Sequence, residues 1–291
     1  MSVKKVLVIR FRRIGDAVLS VVICSSIRKS FPEAEIHYVL NDHIAPLFEN
    51  HPDIDKIITF SDEENNHFFK YLRKVRQLMK TERYDVIIDT RATIKTLWFS
   101  AFSLRTKYRI GTSKFYNHFF HNYRVRNHVN DDLDEVVRNL LLLRPLERER
   151  KLIMTTDFRL YVTEQETAEF KSYMEQKGIN FSRFIVVCTP FTRVAGKAWD
   201  MAKMKEILSR IIQRYGAQLI FNYSRIEKEA ALALYEDMGK DEHIFIDIEA
   251  DSLRKLVSML EIADFFFGNE GGPRHIAQAC HLPGLAIYPP W

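Results

Sequence analysis

The strongest constraint in this chain is an alternation of short apolar runs with helical patterns that begins at the N-terminus, breaks once, and begins again. Residues 4–11 (KKVLVIRF) form an apolar, β-branched run of the kind buried on both faces of a parallel sheet. Residues 12–16 (RRIGD) make the loop after it. Residues 17–31 carry a helical apolar pattern that Pro32 ends, and 36–40 predict the next strand. A strand–helix–strand opening of this kind is right-handed and leads into a doubly wound sheet. Further on, 44–48 predict a short helix, 56–60 a strand, 68–80 an amphipathic helix, 85–89 a strand and 94–104 a helix. A short strand at 108–111 and a helix at 134–146 follow. The stretch 115–130, rich in aromatic residues, His, Arg and Asn without a period, reads as a loop able to face a substrate.

Around residues 147–157 the pattern breaks into charge (ERERK) and then Thr-Thr, which marks a linker zone. The alternation then restarts, with helices at 164–177, 201–215, 227–240 and 253–262 and strands at 184–188, 218–222, 244–248, 262–267 and 285–288. The fold class is therefore α/β, with two Rossmann-like domains at 1–155 and 156–291. A chain organised in this way normally continues past residue 291 with another helix or two, so it reads as truncated there or as an unusually short member. At 291 residues, 46% hydrophobic and 12% aromatic, it is long and apolar enough for two globular cores. A net charge of +5 suits an anionic substrate or membrane face and does not establish a nucleic-acid binder. Cys24, Cys188 and Cys280 are far apart, with no metal-binding spacing, and read as thiols in a reducing, cytoplasmic compartment. The apolar N-terminus is too short for a signal peptide or membrane span.

In open α/β sheets ligands bind outside the carboxyl ends of the strands, so the loops there are the candidate sites. The stretch 268–277, GNEGGPRHIA, is a strand end, a glycine turn and a helix start, with Pro273 suited to the first helical turn. Gly271 and Gly272 let a ligand approach the backbone, and N–H groups at a helix start favour an anion; two glycines also simply make a tight turn. His275 either reaches a phosphate or caps and packs. The loop after the first strand of the second half offers the Thr189 and Thr192 hydroxyls, Arg193, and Lys197 as a mobile point charge for a diphosphate. Trp199 reads as a core plug more than a stacking platform. In the first half, Asp16 is either a general base for an acceptor hydroxyl or a helix N-cap. Arg10, Arg12 and Arg13 crowd its loop and either hold acceptor phosphates or carboxylates or are solvated. Asp89, Arg91 and Lys95 form a second, weaker group. Asp53/Asp55 and Asp132/Asp134 have D-x-D spacing but read as element boundaries, so no metal is expected.

RRIGD, the Lys197-Ala-Trp199 loop and GNEGGPRHIAQA together resemble the ADP-heptose:lipopolysaccharide heptosyltransferases, glycosyltransferase family 9. Residues 89–95 (DTRATIK) and Arg109-Ile-Gly111 are also similar to that family's N-terminal segments, so the resemblance covers most of the chain in order. It implies a GT-B architecture, with two doubly wound domains facing a central cleft, the acceptor on the N-terminal domain and the nucleotide sugar on the C-terminal one. By that resemblance Asp16 is the base and Lys197 contacts the diphosphate. Asn269, Glu270, Gly271, Gly272 and His275 belong to the donor cradle, and Glu227 contacts the nucleoside. Arg10, Arg12, Arg13, Arg91 and Lys95 are the acceptor-side cations. The implied reaction is metal-independent, inverting transfer of heptose from ADP-heptose, without a cofactor, to a lipopolysaccharide core acceptor at the inner face of the inner membrane. The family loop usually reads G-N-D-[ST]-G-P, and Glu270 and Gly271 here change the contacts offered to the sugar. Two rival readings keep the fold: a nucleotide-sugar epimerase, which needs no acceptor, and a binder without turnover.

Overall fold

The computed structural model describes residues 3–126, 132–192, 196 and 198–288. The chain divides into two compact units, Met1–Phe158 and Arg159–Trp291. The first holds strands β1 (Lys5–Ile9), β2 (Glu35–Asn41), β3 (Lys56–Phe60), β4 (Val86–Asp89), β5 (Tyr108–Thr112) and β6 (Tyr123–Val125). All pair in parallel, in the order β3-β2-β1-β4-β5-β6. The connecting helices are α1 (Ile14–Ser20), α2 (Val22–Ser30), α3 (Asp62–Asn66), α4 (Phe68–Thr81), α5 (Leu97–Ala101) and α6 (Glu135–Leu141). The second unit holds helix α7 (Glu164–Gln176), strands β7 (Ile185–Thr189), β8 (Gln218–Phe221), β9 (Ile244–Phe245), β10 (Phe265–Asn269) and β11 (Gly284–Ile287), and helices α8 (Met201–Tyr215), α9 (Lys228–Asp237), α10 (Leu253–Glu261) and α11 (Gly272–Ala279). Its parallel order is β11-β10-β7-β8-β9.

Both orders reverse direction at one place, between β1 and β4 in the first unit and between β7 and β10 in the second. At such a switch point the two flanking connections leave to opposite sides and open a crevice at the strand ends. The strands beside it are fully buried, as their apolar runs require: Val6, Leu7, Val8 and Ile9 in β1, and Val186, Val187 and Cys188 in β7. Phe11, just past β1, packs edge-on against Phe60 at 5.4 Å and lies 6.4 Å from Phe99, which fixes where the following loop starts.

Several elements differ from the sequence pattern: the strand expected at 244–248 is only Ile244–Phe245, the helix expected over 134–146 ends at Leu141, and α3 was not expected. The helix expected over 17–31 begins at Ile14 and is interrupted at Val21. The Ala17 carbonyl, which an unbroken helix would offer to Val21, instead accepts the Ser20 and Tyr38 hydroxyls, and Val21 N–H bonds Val18 O. The helix expected over 94–104 is only Leu97–Ala101, because Thr93 and Thr96 close a turn ahead of it. Within the stretch expected to be a loop, three residues pair with β5 as the half-exposed edge strand β6, too short to show alternation. The apolar run at 262–267 splits: Ile262 ends α10, Asp264 accepts from Ile185 N–H, and the strand runs on through Gly268 and Asn269. The D-x-D pairs serve as boundaries: Asp55 holds Ile36 N–H and Arg28, and Asp134 caps α6. The three cysteines are free and buried, and burial pushes their thiols up.

Candidate active site

In the first unit the switch point is built from charge. Asp16 lies in the first turn of α1 rather than in the loop before it, and the N-cap is Arg13, with no side-chain capping bond. The carboxylate is thus not used as a cap. Its Oδ2 lies 2.9 Å from Arg10 Nη2 and 3.9 Å from Arg91 Nη1, and the side chain keeps 28% of its surface exposed. Arg10 is only 4% exposed. Its guanidinium also reaches Thr90 Oγ1 at 3.3 Å and Glu135 Oε1 at 3.4 Å, while its Nε has no partner. A buried guanidinium shared between two carboxylates and a hydroxyl is a fixed fork, which holds Asp16 in one orientation.

Arg12 and Arg13 leave β1 with φ of 66° and 48°. Two successive non-glycine residues in the left-handed region cost on the order of 1–3 kcal/mol each, and the geometry persists because its surroundings impose it. The Arg12 N–H donates to Asn41 Oδ1 at 2.8 Å, which ties the turn to the end of β2. Both side chains are exposed and, with Asn41, His43, Asn65, Arg91, Thr93 and Lys95, line a cavity of about 700 Å³. Lys95 is committed: its ammonium donates to Asn65 O and Oδ1 at 2.6 and 2.8 Å and lies 4.5 Å above the Tyr71 ring, and burial lowers its pKa. The structure therefore gathers Arg10, Arg12, Arg13, Asp16, Arg91 and Lys95 at one strand-end corner. Sequence reasoning missed Glu135, which comes from α6 about 120 residues away and carries no local signal.

At the switch point of the second unit the described strand-end residues, Thr189, Gly268 and Asn269, are neutral. Gly268 has φ of 156°, and a Cβ there would meet Thr189 Oγ1 at 2.2 Å and Thr189 O at 2.5 Å, so this glycine is required by the close pairing of β10 with β7. Gly271 is extended, and a Cβ there would meet only Pro273 Cδ at 3.8 Å; the fold does not demand that glycine. Thr189 Oγ1 is buried without a partner. Asn269, 2% exposed, points inward: its Nδ2 donates to Pro190 O at 2.6 Å and its Oδ1 accepts from Trp199 N–H at 3.0 Å. It staples the two loops of the crevice together. Trp199 packs on the core of this unit, as a plug would.

Gly272 and Pro273 open α11, with Pro in its first turn. Arg274, not singled out from the sequence although it sits within the motif, has Nη2 at 3.1 and 2.9 Å from the two ring nitrogens of His275 and lies 5.5 Å over the Tyr288 ring. The Glu270 N–H bonds Ile287 O. Glu227 forms a capping box with Ser224, accepting its N–H at 2.7 Å and its hydroxyl at 2.6 Å. Thr192 is half-buried, whereas Arg193 and Lys197 lie outside the described residues. One further cluster, Glu35, His37 and Glu82, has the spacing of a metal site among the described residues. Lys5 Nζ already bridges both carboxylates at 2.9 and 2.5 Å, at the opposite end of the sheet from the crevice.

Comparison with known proteins bears on this arrangement. The family described as "Glycosyltransferase family 9 (heptosyltransferase)" matches residues 72–290. Lipopolysaccharide heptosyltransferase 3 of Escherichia coli K12 is 24% identical over 285 residues, covering 94% of this chain and 79% of that protein. Among solved structures, a family 9 glycosyl transferase from Veillonella parvula has a TM-score of 0.85 at 16% identity, covering 99% of this chain and 81% of that one. The E. coli heptosyltransferase WaaC with ADP-2-deoxy-2-fluoro heptose has a TM-score of 0.73 at 17% identity, covering 99% and 89%. These likenesses show the fold to be GT-B, built from two Rossmann-like units. With three quarters of its length matched, the chain belongs to glycosyltransferase family 9, the heptosyltransferases, and is a glycosyltransferase.

Proposed function

We propose that this enzyme transfers heptose from ADP-heptose, with inversion and without a metal, to a lipid-linked saccharide acceptor. The observation that carries the reading is Asp16: a half-exposed carboxylate at a switch point, free of capping duty and oriented by a buried arginine. In the reaction the acceptor hydroxyl gives its proton to Asp16 as its oxygen bonds to the anomeric carbon. The bond from that carbon to the donor phosphate breaks, and the nucleoside diphosphate departs with the electron pair. Charge develops on the leaving phosphates, where fixed donors stabilise it most. The N–H groups at the start of α11, the unpartnered Thr189 hydroxyl, Arg193 and Lys197 are the groups assigned to that task, and the side-chain-free Gly271 lets a phosphate reach the backbone. Glu227 is assigned to the nucleoside, with one of its oxygens already held by Ser224. Arg12, Arg13 and Arg91 line a cavity suited to an anionic acceptor.

The lipid-linked acceptor places the work at a membrane face. No helix among the described residues is long and apolar enough to cross a membrane. Helix α4 instead presents Phe69, 83% exposed, and the exposed Arg73, Arg76 and Lys80 along one face at helical spacing. An aromatic tip followed by a basic stripe suits peripheral contact with anionic lipid.

Two assays test the reading. Nucleoside diphosphate release from ADP-heptose should depend on added acceptor and persist in EDTA; release without acceptor would point to an epimerase or hydrolase instead. Thermal shift with ADP, UDP, GDP and CDP should favour ADP without Mg²⁺, with saturation at a hundred times Kd adding about 2.7 kcal/mol. A preference for another nucleotide would discard heptose while keeping the glycosyltransferase.

A further inference from the structure

Beneath the acceptor corner lies a buried carboxylate–imidazole pair with no part in the proton transfer just described. Asp89, the last residue of β4, is fully buried. Its Oδ1 accepts from the backbone N–H groups of Arg91 at 3.1 Å and Ala92 at 2.8 Å, which folds the loop 90–96 back over the strand end. Ala92 takes φ of 47° in that loop, and its carbonyl accepts the Tyr116 hydroxyl at 3.0 Å. The same loop carries Thr90, which is bonded to Arg10, and Arg91, which faces Asp16.

The other oxygen, Oδ2, has no hydrogen-bond partner and faces Nε2 of His121 at 3.8 Å; that nitrogen has none either. The Asn117 amide defines the tautomer. Its oxygen accepts from Lys114 N–H and its Nδ2 donates to Thr112 O, so Nδ2 also faces His121 Nδ1, at 3.1 Å. Nδ1 is then the acceptor, and the ring proton lies on Nε2, the nitrogen 3.8 Å from Asp89 Oδ2. Gly111 fixes the ring plane, since a Cβ there would sit 2.5 Å from two ring atoms.

We propose that His121 and Asp89 form a positioning couple, in which the imidazole N–H supports the buried carboxylate that folds the acceptor loop and thereby sets Arg91 and Thr90 against Arg10 and Asp16. Neither residue touches substrate; both act through the loop. The inference rests on reading this corner as the acceptor side. Burial raises the Asp89 carboxyl to about 6 and lowers the His121 imidazolium to about 4. The ionised carboxylate and neutral imidazole therefore coexist above pH about 6, and the couple is lost as Asp89 takes up a proton below it. The charged and titratable groups that act on the pair are Arg10 just past β1, Tyr71 from α4 and Arg109 from β5.

The test compares His121→Leu, His121→Gln and Asp89→Asn with the parent enzyme, measuring kcat and acceptor KM between pH 5.5 and 8.5, with ADP binding as a control on the second unit. His121→Leu should raise acceptor KM about 10- to 100-fold through loop misplacement with kcat within about threefold. His121→Gln, which keeps an N–H donor, should recover most of that. The parent's acceptor KM should rise as pH falls through about 6, and this limb should flatten in Asp89→Asn, whose amide does not titrate. An unchanged acceptor KM in a folded His121→Leu, or an acid limb that persists in Asp89→Asn, overturns the proposal. If His121→Leu does not fold, the Gln and Asn variants decide it by the same readouts. Failure of the acceptor reading itself would appear separately, as full turnover by Asp16→Asn.

Discussion

At the end of β1 the chain presents Arg10, Arg12, Arg13 and Asp16, with Arg91 arriving from the end of β4; at the end of β7 it presents Thr189, with Gly268 and Asn269 arriving from the end of β10. The strand order around the two places is the same. Among the described residues the chemistry differs. The first corner is closed by ion pairs on a buried guanidinium, and the second by an amide staple and a glycine packed on a threonine. The imbalance extends to whole units: Met1–Phe158 carries 27 Lys and Arg against 20 Asp and Glu, a net of +7, and Arg159–Trp291 carries 16 against 18, a net of −2. A switch point thus supplies a location, and the residues placed there set its chemistry: on the proposed reading the first corner moves a proton and the second cradles a diphosphate.

Substitutions at the two corners should therefore fail in different ways. The largest effect belongs to Asp16→Asn, which keeps size and hydrogen bonding but removes the base. Turnover should fall about 10²- to 10⁴-fold in a steady-state release assay, with ADP affinity unchanged. Next, Gly268→Ala drives a Cβ into Thr189 backbone and side chain, and should destabilise the second unit by about 2–3 kcal/mol in denaturant titration while leaving first-unit probes in place. Arg10→Met removes the fork from Asp16, Glu135 and Thr90; it should cost about 1.5–3 kcal/mol and lower kcat without changing ADP binding. Asn269→Ala unpairs Pro190 O and Trp199 N–H and should cost about 1–3 kcal/mol, this time with weaker ADP binding and an unchanged acceptor KM.

The smallest effect concerns pH. Burial holds the His121 imidazolium below its usual range, so the unfolded chain binds its proton first and stability is lost as pH falls from about 6.5 towards 4. Asp89 has the opposite sign: its raised carboxyl favours the folded state as pH falls from about 6 towards 3.8. The two offset each other. His121→Gln removes only the first, so the variant's Tm should drop less than the parent's between pH 7 and pH 5.

Much of this was legible before any coordinates. The apolar runs at 4–11 and 184–188 predicted the central strands because burial on both faces leaves no room for polar alternation. The loops beyond them held the candidate residues, since strand ends are where open α/β sheets bind ligands. Less legible was how those residues are used. Asp16 before a helix read more readily as a cap than as a base, and the helix beginning at Ile14, with Arg13 at its start, takes that capping position away from it. The Gly271-Gly272 pair read as a ligand approach or a tight turn, whereas Gly268 is the glycine the packing requires, through a contact about 80 residues away in sequence. Asn269 read as a cradle residue, and its amide bonds to Pro190 O and Trp199 N–H, which tie two loops together, had no local signal. Glu135 and His121 reach their partners across the fold, and nothing in local spacing announces such meetings.

The division of labour between the corners can be read directly by hydrogen exchange on the full chain with and without saturating ADP. Exchange should slow at the ends of β7 and β10 and through the first turn of α11, with α1 and residues 90–96 unchanged. Protection at α1 and the 90–96 loop, with none at α11, would place the nucleotide on the charged corner and contradict the assignment of donor and acceptor.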